Sequence, residues 1–360
     1  MQRETADASG WGPPPVPLFP GTFKMSDRVL RVQDLAVHFK LREGGLLGSK
    51  TLTLKAVDGV SFDLDAGETL GVVGESGCGK STLARALLAL IKPSRGRVLW
   101  LGEDLNKLDD EALRKKRQDL QIVFQDPLAA LNPRMTVRDI IAEPLWTFFP
   151  KIARVQVDER VRGVMKMVGL LPSHVNRYPH EFSAGQCQRI GIARALVLNP
   201  KLVICDEPVS ALDVSIQAQI INLLKDLQKK LNLSLVFIAH DLSVVKHISD
   251  RVMVMYLGRA MELSEREKLY RKPLHPYTSA LIKAVPIPDP KVAKAASDTG
   301  LTGDMPSPLD PPPGCVFHTR CPYTIKRCQL EVPALRRMAH GDWVACHRAE
   351  ELDLTIVKSG

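Results

Sequence analysis

One stretch limits this chain more than any other: TLGVVGESGCGKSTLARALLALI, residues 69–91. It opens as a short apolar run, breaks at Gly74, Gly77 and Gly79 beside Lys80, and resumes with the apolar spacing of a helix. The pattern is therefore strand, glycine loop, helix. Gly74 to Ser81 fits G-x-x-x-x-G-K-[ST], in which glycines let backbone N–H groups close around phosphates at the positive end of a helix. Gly74, Glu75, Ser76, Gly77, Cys78 and Gly79 would form the cradle, with Thr82 just inside the helix. Lys80 would reach the β and γ phosphates, and the Ser81 hydroxyl would bind Mg²⁺. A loop that delivers a helix N-terminus from the end of a buried strand implies an α/β sheet.

Other strands end in the same manner. KLVICDEP is an apolar run closing on two acids, which places Asp206 beside a metal and Glu207 where it can orient and deprotonate an attacking water. LSLVFIAHDLSVV brings His240, and LQIVFQDP brings Gln125, to the ends where parallel sheets hold ligands, so Gln125 is available to metal or water. Upstream, RVLRVQDLAVHF and LTLKAVDGVSFDL alternate as strands, the second closed by the turn DAGE. Residues 1–25 are rich in Pro and Gly without periodicity and are expected to be a disordered leader; Met25 is a candidate physiological start, the alternative being that residues 1–24 are a dispensable arm.

Ser183-Ala184-Gly185-Gln186 is a small-residue turn opening a basic amphipathic helix, a second helix start suited to an anion. The net charge of +9 is dispersed among acids along the whole length, so it does not favour nucleic acid. No apolar run approaches the ~20 residues of a membrane-spanning helix.

The order of these motifs, glycine loop, Gln125, FSAGQ, ICDEP, SALD and His240, resembles the ATP-binding-cassette family over roughly residues 27–285. The resemblance implies an ATPase with a RecA-like core, an antiparallel β subdomain and a helical subdomain near 126–200. It implies head-to-tail pairing of two nucleotide domains, with Ser183, Gly185 and Gln186 serving the ATP of the opposite subunit. By the same analogy Glu207 is the general base, His240 senses the γ-phosphate, Asp213 couples the two sites and Gln125 links the site to a membrane partner. An aromatic that stacks on adenine is expected before the second strand; Phe39 is the candidate, with a core role as the alternative. Two positions depart from the family pattern. Ala184 stands where a glycine is usual, and its methyl either crowds the phosphate or fits at negative φ; Cys187 stands where arginine is common.

QDPLAALNPRMTV, YPHEFS, DEPVSALDVSIQAQI, VVKHISDRVMVMYLGRAME, KPLHPYTSAL and MPSPLDPPPGCVFHTRCPY are similar to the ATP-binding subunits of bacterial dipeptide and oligopeptide importers, most of all to the F-type subunit. That resemblance implies two transmembrane permease subunits, a second homologous ATPase and an extracytoplasmic substrate-binding protein as partners, no nucleic acid, and a peripheral place on the cytoplasmic face of the bacterial inner membrane. A cassette ATPase acting on nucleic acid or ribosomes is the alternative. The organisation expected is a leader over 1–25, a nucleotide-binding domain over 26–285 and a C-terminal tail over 286–360. In that tail Cys315, Cys321, Cys328 and Cys346 crowd together without paired C-x2-C knuckles. Four thiolates suit a [4Fe–4S] cluster, which the resemblance supports; zinc and free thiols are the alternatives. The cluster would be structural, not catalytic, since the ATP chemistry is complete without it.

Overall fold

The computed structural model describes residues 28–43, 50–284 and 303–356. The leader and the first part of the tail lie outside the described residues.

Two sheets divide the strands. β1 (Arg28–Glu43), β2 (Lys50–Asp65), β4 (Arg95–Trp100) and β5 (Glu103–Asp104) form an antiparallel sheet in the order β2-β1-β4-β5. The second sheet holds β3 (Thr69–Val73), β6 (Leu120–Val123), β7 (Leu202–Asp206), β8 (Ser234–Ala239), β9 (Arg251–Tyr256), β10 (Arg259–Glu265), β11 (Arg336–Arg337) and β12 (Trp343–Val344). Its order is β11-β12-β10-β9-β3-β8-β7-β6, and the run from β9 to β6 is parallel.

The central parallel strands β3, β7 and β8 are buried along their whole length because both of their faces are covered, whereas the edge strand β6 is half-buried. Leu70, Val72, Leu202, Ile204, Val236 and Ile238 belong to a core shared with the antiparallel sheet and the helix Lys80–Leu87. Their neighbours Val203, Cys205, Leu235 and Phe237 point to the opposite core, as a period of two requires. That second core is continued by the helices Val137–Phe148, Arg154–Met167 and Ala184–Leu196, which pack on one another. Helical spacing suggests a longer helix after the glycine loop than is found. It ends at Leu87, Ala89 turns to a φ of 49°, and Pro93 follows two residues after Ile91.

The tail is continuous with this framework. β12 pairs with the outer strand β10, Glu262 opposite Val344 and Leu263 opposite Trp343, and Cys315, Val316, Phe317 and Cys328 are buried in the second core.

Candidate functional site

β3, β8, β7 and β6 are neighbours and parallel, so their carboxyl ends open on one edge of the sheet. There the chain presents the loop after Val73, then His240, Asp206 with Glu207, and Gln125. The residues expected from separate motifs are thus brought together by strand order.

The loop reaches the helix through Gly79, which caps it with φ 104°. A side chain is excluded there: a Cβ would lie 2.0 Å from the carbonyl oxygen of Ala56. Lys80 is 4 % exposed and donates to the carbonyls of Gly74 at 2.8 Å and Glu75 at 3.0 Å. Ser81 Oγ donates to Asp206 Oδ1 at 3.0 Å. Burial raises the Asp206 carboxyl above its ordinary value, opposed chiefly by the Ser81 bond. A hydroxyl beside a buried acid that lacks a full countercharge is an oxygen donor set suited to a small divalent cation. Cys78 is buried under the loop, its thiol held protonated by desolvation.

Glu207 is the hub. Its Oε2 accepts from Gln125 Nε2 at 2.9 Å and faces His240 Nδ1 at 3.6 Å, while Oε1 lies 4.0 Å from Lys80 Nζ. Its backbone takes φ 48°, uncommon for a residue with a side chain. The neighbours enforce it: the Glu207 N–H donates to Ile238 O at 3.0 Å, and the Glu207 carbonyl accepts from Ser210 Oγ at 3.1 Å. Such strain, on the order of 1–3 kcal/mol, survives only where the surroundings over-determine the conformation. Here it follows from turning a strand end sharply enough to aim two successive acids at one place.

The Ser183 turn is built differently. Ser183 N donates to Gln186 Oε1 at 3.0 Å and Gln186 N to Ser183 Oγ at 3.4 Å, a reciprocal cap on the helix that follows. Gly185 packs under Ile216, whose Cγ2 would be 2.5 Å from a Cβ at that position. Ala184 begins the helix with its methyl exposed and is not among the residues with positive φ, so alanine costs the backbone nothing. Cys187 is buried, with Sγ 3.4 Å from Pro179 O, a place a long cation could not share. Among the described residues no hydrogen bond or ion pair joins this turn to the glycine loop. Asp213 starts the helix Val214–Leu231 without a side-chain cap and is exposed. Phe39 is partly buried against the core and pairs across strands with Leu54, two residues from Ala56.

The cluster expected in the tail is corrected. Among the described residues no group of three or more His, Cys, Asp or Glu stands where it could hold a metal ion. The four cysteines line one cavity of about 10 Å³, room for about one water. They are free thiols; burial pushes Cys315 up to about 12 and Cys321 up to about 11, which keeps them protonated. They pack as small apolar groups. His318 and His347 bond instead to the carbonyls of Cys315 and Glu331.

Three residues near the loop were not legible beforehand. Tyr277 accepts the Glu75 N–H at 3.1 Å, Arg320 Nη1 donates to both Glu75 carboxylate oxygens at 2.9 and 3.1 Å, and Met305 Cε lies 3.6 Å from where a Cβ on Gly77 would stand. No spacing in the sequence signals contacts 202 and 245 residues apart.

Residues 57–210 match the family model "ABC transporter", and residues 261–328 match "Oligopeptide/dipeptide transporter, C-terminal region". The chain is 60 % identical over 308 residues, 85 % of its length and 92 % of the other's, to the oligopeptide transport ATP-binding protein OppF of Salmonella typhimurium. It is 49 % identical to the di/tripeptide transport ATP-binding protein DppF of Pseudomonas aeruginosa, covering 90 % of this chain and 99 % of that one. A solved ATP-binding cassette, dimeric in a post-hydrolysis state with ADP and phosphate, superposes with TM-score 0.59 at 28 % identity, covering 66 % of this chain and 98 % of that one. Strand-end chemistry, cassette fold and these matches agree: the chain belongs to the ABC transporter family, as an ATPase of its oligopeptide and dipeptide transport branch.

Proposed function

We propose that this chain hydrolyses ATP to drive import of di- and oligopeptides, with Glu207 as the water-activating base. The observation that carries the residue assignment is the convergence of Gln125, His240 and Lys80 on one Glu207 carboxylate.

In this reading the loop N–H groups and Lys80 bind the triphosphate, and Phe39 stacks on the adenine. Ser81 and Asp206, with Gln125, hold Mg²⁺, which supplies charge neutralisation on the phosphates. Glu207 takes the proton of the water that attacks the terminal phosphorus, giving ADP and phosphate, and Gln125 orients that water. His240 donates to the γ-phosphate. Ser183, Gly185 and Gln186 cap the nucleotide of a second ATPase subunit, and Asp213 couples the two sites. Exposed Leu128 and Leu171, at 56 % and 60 %, lie in the helical part and suit contact with a permease. The assembly proposed has two permeases, a second ATPase of the same family and an extracytoplasmic peptide-binding protein, with this chain on the cytoplasmic face of the membrane. Among the described residues no helix is long and apolar enough to cross a membrane. The division into 26–285 and 286–360 is carried as part of this proposal, with the helical part near 126–200.

The test is co-expression with two candidate permeases and a partner ATPase. Stimulation of ATP hydrolysis by peptide-loaded binding protein in vesicles supports the reading; stimulation by nucleic acid, with no permease copurifying, overturns it.

A further inference from the structure

The tail reaches the phosphate loop, and the contact is built rather than incidental. Phe317 is 1 % exposed and packs edge-on against Tyr256 and tilted against Tyr277, with ring centroids 5.4 and 5.2 Å away. A tight turn, in which Arg320 N donates to Phe317 O at 3.0 Å, then carries the guanidinium back toward the sheet. Arg320 is 6 % exposed at its side chain, bonds both oxygens of Glu75 and also donates to Tyr256 Oη at 3.4 Å. Glu75 is the second residue of the glycine loop, and its carbonyl accepts from Lys80. One loop residue is therefore gripped by its backbone N–H, its carbonyl and its carboxylate at once.

A carboxylate at the mouth of a phosphate cradle opposes the charge of its ligand. Paired to a buried guanidinium, that charge is neutralised and its side chain fixed.

We propose that Arg320 is a positioning residue for the phosphate loop, holding Glu75 so that the C-terminal tail sets the affinity of the site for ATP. This rests on the glycine loop being the nucleotide site. Because binding energies are reciprocal, ATP must in turn tighten the tail over residues 303–320. The tail is then a working part of the ATP site.

The experiment is calorimetric titration of the full chain with a Mg²⁺-bound non-hydrolysable ATP analogue carrying a β,γ-imido bridge. Arg320→Ala is expected to raise Kd about tenfold, the scale of one lost charge-assisted pair, with Arg320→Lys intermediate. On a Glu75→Gln background the same Arg320→Ala change should cost less than about twofold, since the charge it neutralises is gone. Hydrogen exchange of 303–320 should slow when the analogue binds, and this slowing should be lost in Arg320→Ala. An unchanged Kd in Arg320→Ala overturns the proposal while Lys80→Ala still abolishes binding. An equal loss on the Glu75→Gln background also overturns it, because the effect would then be one of folding alone. Binding by Lys80→Ala at wild-type affinity removes the nucleotide site from this loop and the proposal with it.

Discussion

The glycine loop and the Ser183 turn both open helices with small residues, yet they are finished to different degrees. Around the loop, Lys80, Ser81, Glu75 and Glu207 are bonded to partners as far apart in sequence as Gly74, Gln125, Asp206, Tyr277 and Arg320, and Lys80 is nearly buried. Among the described residues the side chains of the turn bond to the turn itself, through Ser183 and Gln186, and Ala184 is exposed. The loop's bonds reach distant parts of the chain and enclose it, whereas the turn's bonds are local and leave it exposed. The comparison teaches that similar local sequence does not carry similar roles, because the surroundings decide which N–H groups remain to be shared.

The sharpest way to break the comparison is Glu207→Gln in the assembled transporter. Turnover should fall about 10²–10⁴-fold, the usual range for losing a general base, with nucleotide affinity retained. Single-turnover and binding measurements separate the two effects; hydrolysis at the wild-type rate removes Glu207 from its assigned role.

A smaller effect is expected at the turn. Gly185→Val must push Ile216 aside, which costs about 1–3 kcal/mol and lowers the thermal midpoint by a few degrees. Nucleotide affinity of the isolated chain should stay unchanged, since among the described residues no bond links the turn to the loop. If affinity falls together with stability, the two helix starts are coupled within one subunit and the contrast fails.

The smallest effect belongs to Ala184→Gly. With the alanine methyl exposed and its φ negative, restoring the glycine usual in the family should change ATPase activity of the complex by less than about twofold, while costing up to about 1 kcal/mol of helix stability. A tenfold rise in activity would mean that the methyl obstructs the nucleotide of the opposing subunit.

Legibility followed burial. Asp206, Glu207 and His240 could be placed from sequence because each follows a strand covered on both faces, which reads as an apolar run closing on a polar residue, and Gln125 follows the half-buried edge strand β6. Lys80 and Ser81 were fixed by glycine spacing. Arg320, Tyr277 and Met305 were not visible, because an ion pair or a hydrogen bond across more than 200 residues leaves no period behind. The cysteines misled for the opposite reason. Their nearness along the chain suggested a shared ligand, whereas Cys315 and Cys328 are near one another because both fill the second core. The left-handed φ of Glu207 also lay beyond reach, since it is imposed by Ile238 and Ser210 rather than by a glycine.

The pairing of β12 with β10 bears on how the chain is made. Glu262 and Leu263 wait for Val344 and Trp343, and Met261 O for the N–H of Ala345 at 2.8 Å. On the ribosome those partners arrive on the order of 80 residues later, several seconds at about 5–20 residues per second. During that interval the cassette has its ATP-binding strands but carries a bare sheet edge, the kind of surface that recruits strands from neighbouring chains. Truncated or stalled products ending before residue 343 should therefore be poor in solubility, and the final turns of synthesis act as the seal that lets the newborn subunit leave its neighbours alone.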